Sequence, residues 1–184
     1  MGAVKKWIIP ISLIILLCSF SIGYAQPVFN PENGHHYDLI EFGISCPTWY
    51  EADSLARDIP YIGFQGHLAT ITSASEQAFI ENSFPSYEDE SIWIGGFQLP
   101  NSASTSLGWR WITGESWSYT NWDLGVPEPN DDGDYNQHNE ENCLEIADNS
   151  SFQWNDQPCD STDRCFMLVE YERETLADSI LFPW

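Results

Sequence analysis

The chain has 184 residues, a formal net charge of −22 and an isoelectric point near 4.1. That length suits one domain with its own core. The acidity argues against nucleic acid and anionic membrane surfaces as partners, since both recruit Lys and Arg. Aromatic residues make up 15% and are spread along the chain, which marks a folded protein rather than an acidic tail.

The first 25 residues stand apart. "MGAVKK" carries both lysines, "WIIPISLIILLCSFSI" is apolar, and "GYA" ends in small residues. This pattern predicts a secretory signal peptide cleaved after Ala25. An uncleaved anchor helix is the alternative, but the run is near the short limit for a bilayer span and Pro10 interrupts it. Cleavage leaves four arginines against 28 acidic residues, a charge of −24. A short link, 26–32, follows.

"NGHHYDLIEF" (33–42) opens on a turn dipeptide and then alternates as a strand does. "PTWYEADSLARDI" (47–59) predicts a helix. Thr48 is its cap, Glu51 lies three residues on, and Trp49, Ala52, Leu55 and Ala56 share a face. "GHLATI" (66–71) is a short strand or extended link. "SASEQAFIENSF" (73–84) predicts a second helix capped by Ser73 or Ser75, with Ala78, Phe79 and Ile80 toward the core. Strands are expected at 91–97 and 108–114. A long polar loop over 115–141 comes next, then strands at 142–147, 151–156 and 165–172. The class is α+β.

Cys18 leaves with the signal. Cys46, Cys143, Cys159 and Cys165 remain, an even number that favours two disulfides out of three possible pairings. Four cysteines could instead hold zinc, but the sequence has no Cys-x-x-Cys pair. His35, His36, His67 and His138 show no metal-ligand spacing. Asn149-Ser150-Ser151 is a glycosylation sequon for a eukaryotic secretory route. Trp93, Trp109, Trp111, Trp117 and Trp122 read as core.

Several pieces occur in a fixed order over residues 33–173: "TWYEA", "GHLATITSASEQAFI", "WIGG", "WRWITGE", "NW", "EPN", "ENC", "WND" with Cys159, and "VEYE". Together they resemble the C-type lectin domain, with a signal before it and a tail, 174–184, after it. The resemblance implies a fold of two helices and antiparallel sheets carrying a long calcium-binding loop region. It also implies a Cys143–Cys159 bridge. The family's other bridge is replaced by Ala56 and Val169. Cys46 and Cys165 are left over. If the first and last strands pair antiparallel, with Tyr37 opposite Glu172, these two cysteines meet at the sheet's end.

Calcium takes about six to eight oxygen ligands from carboxylates, carbonyls and water. The resemblance implies that Glu128, Asn130, Glu141, Asn155 and Asp156 hold Ca2+, with a cis peptide before Pro129. Glu128, Asn130, Glu141 and Asn155 would also hydrogen-bond two vicinal sugar hydroxyls, carboxylates accepting and amides donating. The Glu-Pro-Asn order is the family's arrangement for equatorial 3- and 4-hydroxyls, as in mannose, glucose and often fucose. The segment "DDGDYNQHN" (131–139) is long for the family. It could bind a second ion through Asp131, Asp132 and Asp134, and Glu140 could take the place of Glu141.

The expected function is a secreted, calcium-dependent carbohydrate-binding protein. Its partners would be glycans or glycoproteins, and no membrane insertion is expected after signal cleavage. The rival is an adhesion, matrix or ice-contact protein of the same fold that uses calcium structurally. An enzyme is not expected, because the acids are clustered with amides and none lies in an apolar setting suited to acid–base work.

Overall fold

The structure, a computed structural model, describes residues 26–100, 102–131, 140–148 and 150–173. The proposed signal, the tail, most of the 131–139 segment and the sequon's Asn149 lie outside the described residues. The elements run β1 (Val28–Phe29), β2 (His36–Glu41), α1 (Trp49–Asp58), β3 (Gln65–Leu68) and α2 (Ala74–Ser83). Then come β4 (Ile92–Gln98), β5 (Trp109–Trp111), β6 (Cys143–Ile146), β7 (Trp154–Gln157) and β8 (Phe166–Glu172).

β8 is the spine of the sheet. It pairs antiparallel with β2 and β3 and parallel with β4. The sheet path is β1-β2-β8-β4-β6-β7, with β3 added to β8 and β5 to β4. Both faces of β8 are covered, so residues 166–171 are buried throughout. Successive side chains point to opposite faces. Phe166 and Leu168 join Ile92, Ile94, Leu144 and Trp154 in one cluster. Met167, Val169 and Tyr171 join Trp93 and the α1 residues Trp49, Ala52 and Ala56 in the other. Ala56 and Val169 thus pack against the same core where the family usually has a bridge.

The helix caps follow the sequence. Thr48 and Glu51 form a reciprocal capping box, and Ser73 rather than Ser75 accepts from Glu76 N–H. Two glycines of the family-like motifs are required by crowding. A Cβ on Gly66 would lie 2.4 Å from the Ala56 carbonyl oxygen, and one on Gly95 would lie 2.5 Å from that of Leu68.

Four expectations need correction. Leu55 is 41% exposed, because α1 rests on β3 and β4 through Trp49, Ala52 and Ala56. Ala78 is exposed as well; α2 instead buries Glu76, Gln77 and Ile80, its polar pair meeting buried partners. One strand pair, β4 with β8, is parallel rather than antiparallel. Finally, Tyr37 stands opposite Glu170, not Glu172. A slip of two residues keeps every side chain on its face, so alternation alone does not detect it.

The ladder keeps this register as far as Phe42, whose N–H donates to the Cys165 carbonyl at 2.8 Å. A bend at Gly43–Ile44 takes up the difference before Cys46. Cys46 and Cys165 are joined, as are Cys143 and Cys159, with Cα separations of 4.5 and 5.1 Å.

Candidate functional site

A tryptophan nest carries the polar loop to the edge of the sheet. Trp109, Trp111, Trp117, Trp122 and Trp154 pack ring to ring, with centroids 4.6–6.2 Å apart. Beside β7, Trp154 N–H donates to the Asn121 carbonyl at 2.8 Å and Asp123 N–H to the Trp154 carbonyl at 2.9 Å. Glu128 N–H then closes a turn onto the Asp123 carbonyl at 3.0 Å, and the Glu128–Pro129 peptide is cis.

β7 supplies the anchor. The Asp156 carboxylate accepts from Asn130 N–H at 3.1 Å through Oδ1 and from Asp131 N–H at 3.0 Å through Oδ2. Asn130 Nδ2 donates to Glu128 Oε1 at 2.9 Å. Asp131 sits at φ 56°, and its Oδ1 accepts from Glu141 N–H at 2.7 Å. Glu141 and Asp156 are buried. Glu140 is exposed and accepts from Asn142 Nδ2 at 3.1 Å, so Glu141 takes the inner position. Asn155, also on β7, donates from Nδ2 to Glu145 Oε1 at 3.1 Å.

The charges acting on this group share one sign. Burial pushes the Glu128 carboxyl up to about 8, helped by the close Asp156 carboxyl and by the charge of Asp123. Burial, Asp156, Glu128, Asp131 and Glu145 push Glu141 up to about 8 as well. Burial also raises Asp156. The expectation that none of these acids sits in a setting that raises its pKa is thus corrected: the loop folds them against β6 and β7 and takes them out of water. Glu128 Oε2 is buried without a hydrogen-bond partner. An orphaned carboxylate oxygen among acids and amide carbonyls fits a hard divalent cation such as calcium.

The fold also builds a cluster that spacing did not reveal. His35, Glu76 and Glu170 bring three ligand atoms within 4.8 Å of one another, the one such group of His, Cys, Asp and Glu among the described residues. His35 Nδ1 lies 2.5 Å from Glu170 Oε1, across 135 residues of sequence, so no local pattern could have signalled it. Asp132, Asp134 and His138 lie outside the described residues. Trp93, Trp109 and Trp111 are buried, as expected of core.

The sequence profile of the lectin C-type domain matches residues 48–166. A C-type lectin of Micrurus corallinus is 33% identical over 153 residues, covering 80% of this chain and 85% of that protein. Halomucin of Haloquadratum walsbyi is 30% identical over 165 residues; the match covers 83% of this chain but only 2% of halomucin. Among solved structures, the cow C-type carbohydrate-recognition domain of CD23, determined in the presence of GlcNAc2Man3 oligosaccharide, superposes with a TM-score of 0.57. It is 25% identical, over 77% of this chain and 89% of that one. The chain belongs to the C-type lectin domain family.

Proposed function

We propose that the protein is a secreted lectin that binds glycans through calcium held by Glu128, Asn130, Glu141, Asn155 and Asp156. The observation that carries this reading is the buried Oε2 of Glu128, without a hydrogen-bond donor, beside Glu141 and Asp156, all three carboxyls raised chiefly by burial. Bound calcium supplies positive charge and open coordination positions for two vicinal hydroxyls. The chain's own residues hold the frame. Asp156 fixes the backbone of residues 130 and 131, and the Asn130–Glu128 hydrogen bond orients acid and amide side by side. Carboxylates accept from sugar hydroxyls and amide NH2 groups donate to them. The Glu-Pro-Asn order supports equatorial 3- and 4-hydroxyls, the mannose type.

A glycan array tests this. Binding that EDTA abolishes and calcium restores supports the reading. Calcium-dependent stability without any glycan signal overturns it in favour of a structural use of the ion. Glu128→Gln with Asn130→Asp tests the specificity, since it keeps two oxygen donors and the net charge. It should preserve the calcium response while moving preference from mannose toward galactose. Unchanged mannose preference in this variant removes the sugar from the 128–130 segment.

A further inference from the structure

Behind Asn155 lies a buried ion pair that the proposed site does not use. Glu145, on β6, is 1% exposed and stands directly opposite Asn155 on β7. Opposed residues of an antiparallel pair share a face. Glu145 Oε2 accepts from Arg164 Nε at 2.6 Å, and Oε1 accepts from Arg164 Nη2 at 3.3 Å and from Asn155 Nδ2 at 3.1 Å. Arg164 also pairs with Asp163.

This geometry constrains the Asn155 amide. Burial raises the Glu145 carboxyl, and the Arg164 fork and the Asn155 amide act against it. With both oxygens taking N–H groups of the guanidinium, the carboxylate is an acceptor here. Only the NH2 end of an amide can face it, because the carbonyl end would meet a second acceptor. Arg164 therefore decides, through Glu145, which end of Asn155 faces away from β6. That end is Oδ1, the atom a hard cation takes. The second Nδ2 hydrogen stays available to a hydroxyl.

We propose that Glu145 and Arg164 are positioning residues that lock the Asn155 amide with Oδ1 toward the ligand site and so set its calcium affinity. The proposal rests on the calcium reading above and specifies how one of its five ligands is oriented. Outer-shell partners of this kind typically carry about 10- to 100-fold in metal affinity. A purely structural ion pair would carry none.

The test compares wild type with Glu145→Leu/Arg164→Met, measuring three things. These are the melting temperature in EDTA, solvent exchange of the Asn155 side-chain amide by NMR in calcium-free protein, and calcium affinity by calorimetry. Replacing a buried ion pair by apolar residues of similar volume is often neutral for stability. The double variant should therefore melt near wild type. It should lose the slow exchange of the Asn155 amide and bind calcium about tenfold or more weakly. Arg164→Lys keeps the charge but not the fork, and should restore part of both.

If the double variant does not fold, Arg164→Lys decides alone: faster Asn155 exchange with weakened calcium binding supports the lock, and unchanged calcium affinity overturns it. Wild-type calcium affinity in the double variant overturns the lock while leaving the site's calcium reading intact. Fast Asn155 exchange in wild type overturns it as well. A wild-type chain that binds no calcium overturns both readings, before any variant is made.

Discussion

Two groups of buried carboxylates face different fates in this molecule. Glu76 and Glu170 lie where α2, β2 and β8 meet, and each is satisfied by the chain itself. Glu170 Oε2 accepts from Thr70 N–H at 2.9 Å and Thr70 Oγ1 at 3.1 Å, and its Oε1 contacts His35 and Tyr37. Glu76 Oε2 accepts from Thr72 N–H at 2.7 Å and Thr72 Oγ1 at 3.1 Å, while its Oε1 contacts Asn33 and Tyr37. The Tyr37 hydroxyl bridges the two, and His35 can bring a positive charge. Burial acts to raise Glu170, but the His35 hydrogen bond, His67 and the Thr70 N–H outweigh it and hold its carboxyl below the usual range. Glu76 is raised by burial and by the charge of Glu170, as Glu128, Glu141 and Asp156 are raised chiefly by burial. The difference is that Glu76 and Glu170 have donors on both oxygens, whereas Glu128 Oε2 has none. Burying a carboxylate demands donors or a cation. Where the chain supplies donors the cluster is closed; where it leaves an oxygen without one, the cluster suits the calcium proposed above.

The largest expected effect separates the two clusters by metal. At a hundred times the dissociation constant, calcium should stabilise the fold by about 2.7 kcal/mol, seen as a rise in Tm over EDTA. Asp156→Ala should abolish that rise. A melting curve indifferent to calcium in wild type would place the two clusters in the same class. Tyr37→Phe attacks the closed cluster. It removes the hydroxyl shared by two buried carboxylates and should cost about 1–3 kcal/mol. The loss should be equal in EDTA and in calcium; a calcium-dependent loss would mean that the clusters are coupled.

The third prediction uses pH. Without metal, Glu128 and Glu141 titrate near 8, above their ordinary value of 4.5. Their contribution to stability is full below the unfolded value and is lost as pH rises through about 8. Calcium competes with those protons, so its affinity should climb between pH 5 and 8 and level off above. A flat calorimetric profile would contradict the assignment of these two acids.

The smallest effect belongs to His35. Its pKa is raised from 6.5, chiefly by the hydrogen bond to Glu170 against the opposing pull of burial, with Glu172 and Glu76 adding to the rise. The stability it brings is complete below 6.5 and fades as pH rises through the higher folded value. His35→Gln should flatten that part of the pH–stability curve measured in saturating calcium, and by less than the loss in Tyr37→Phe. An unaltered curve would show that His35 brings no positive charge to the closed cluster.

Much of the frame was legible in the sequence, because its signals are local. Thr48 and Glu51 announce a capping box within four residues, and the strand of 165–172 announces itself by the apolar run 165–169. The glycines of "GHLATI" and "WIGG" were visible as motifs, but the carbonyls they make room for were not. Register was missed by two residues because alternation has a period of two. Leu55 was misplaced because helical periodicity names a face without saying how far the neighbouring sheet reaches around it. Glu128, Asn130, Glu141, Asn155 and Asp156 were readable as a pattern of ligand types. Glu145, Arg164 and His35 were not, since each acquires its role from a residue distant in sequence.

The contact between Asp131 Oδ1 and Glu141 N–H, 2.7 Å long, pins together the two ends of the segment 132–140. Asp131 in turn gives its own N–H to Asp156 Oδ2, so one hydrogen-bonded chain runs from β7 through Asp131 to the residue two before Cys143. The backbone on either side of the segment is thus set by contacts made outside it, as two gateposts stand without reference to what hangs between them.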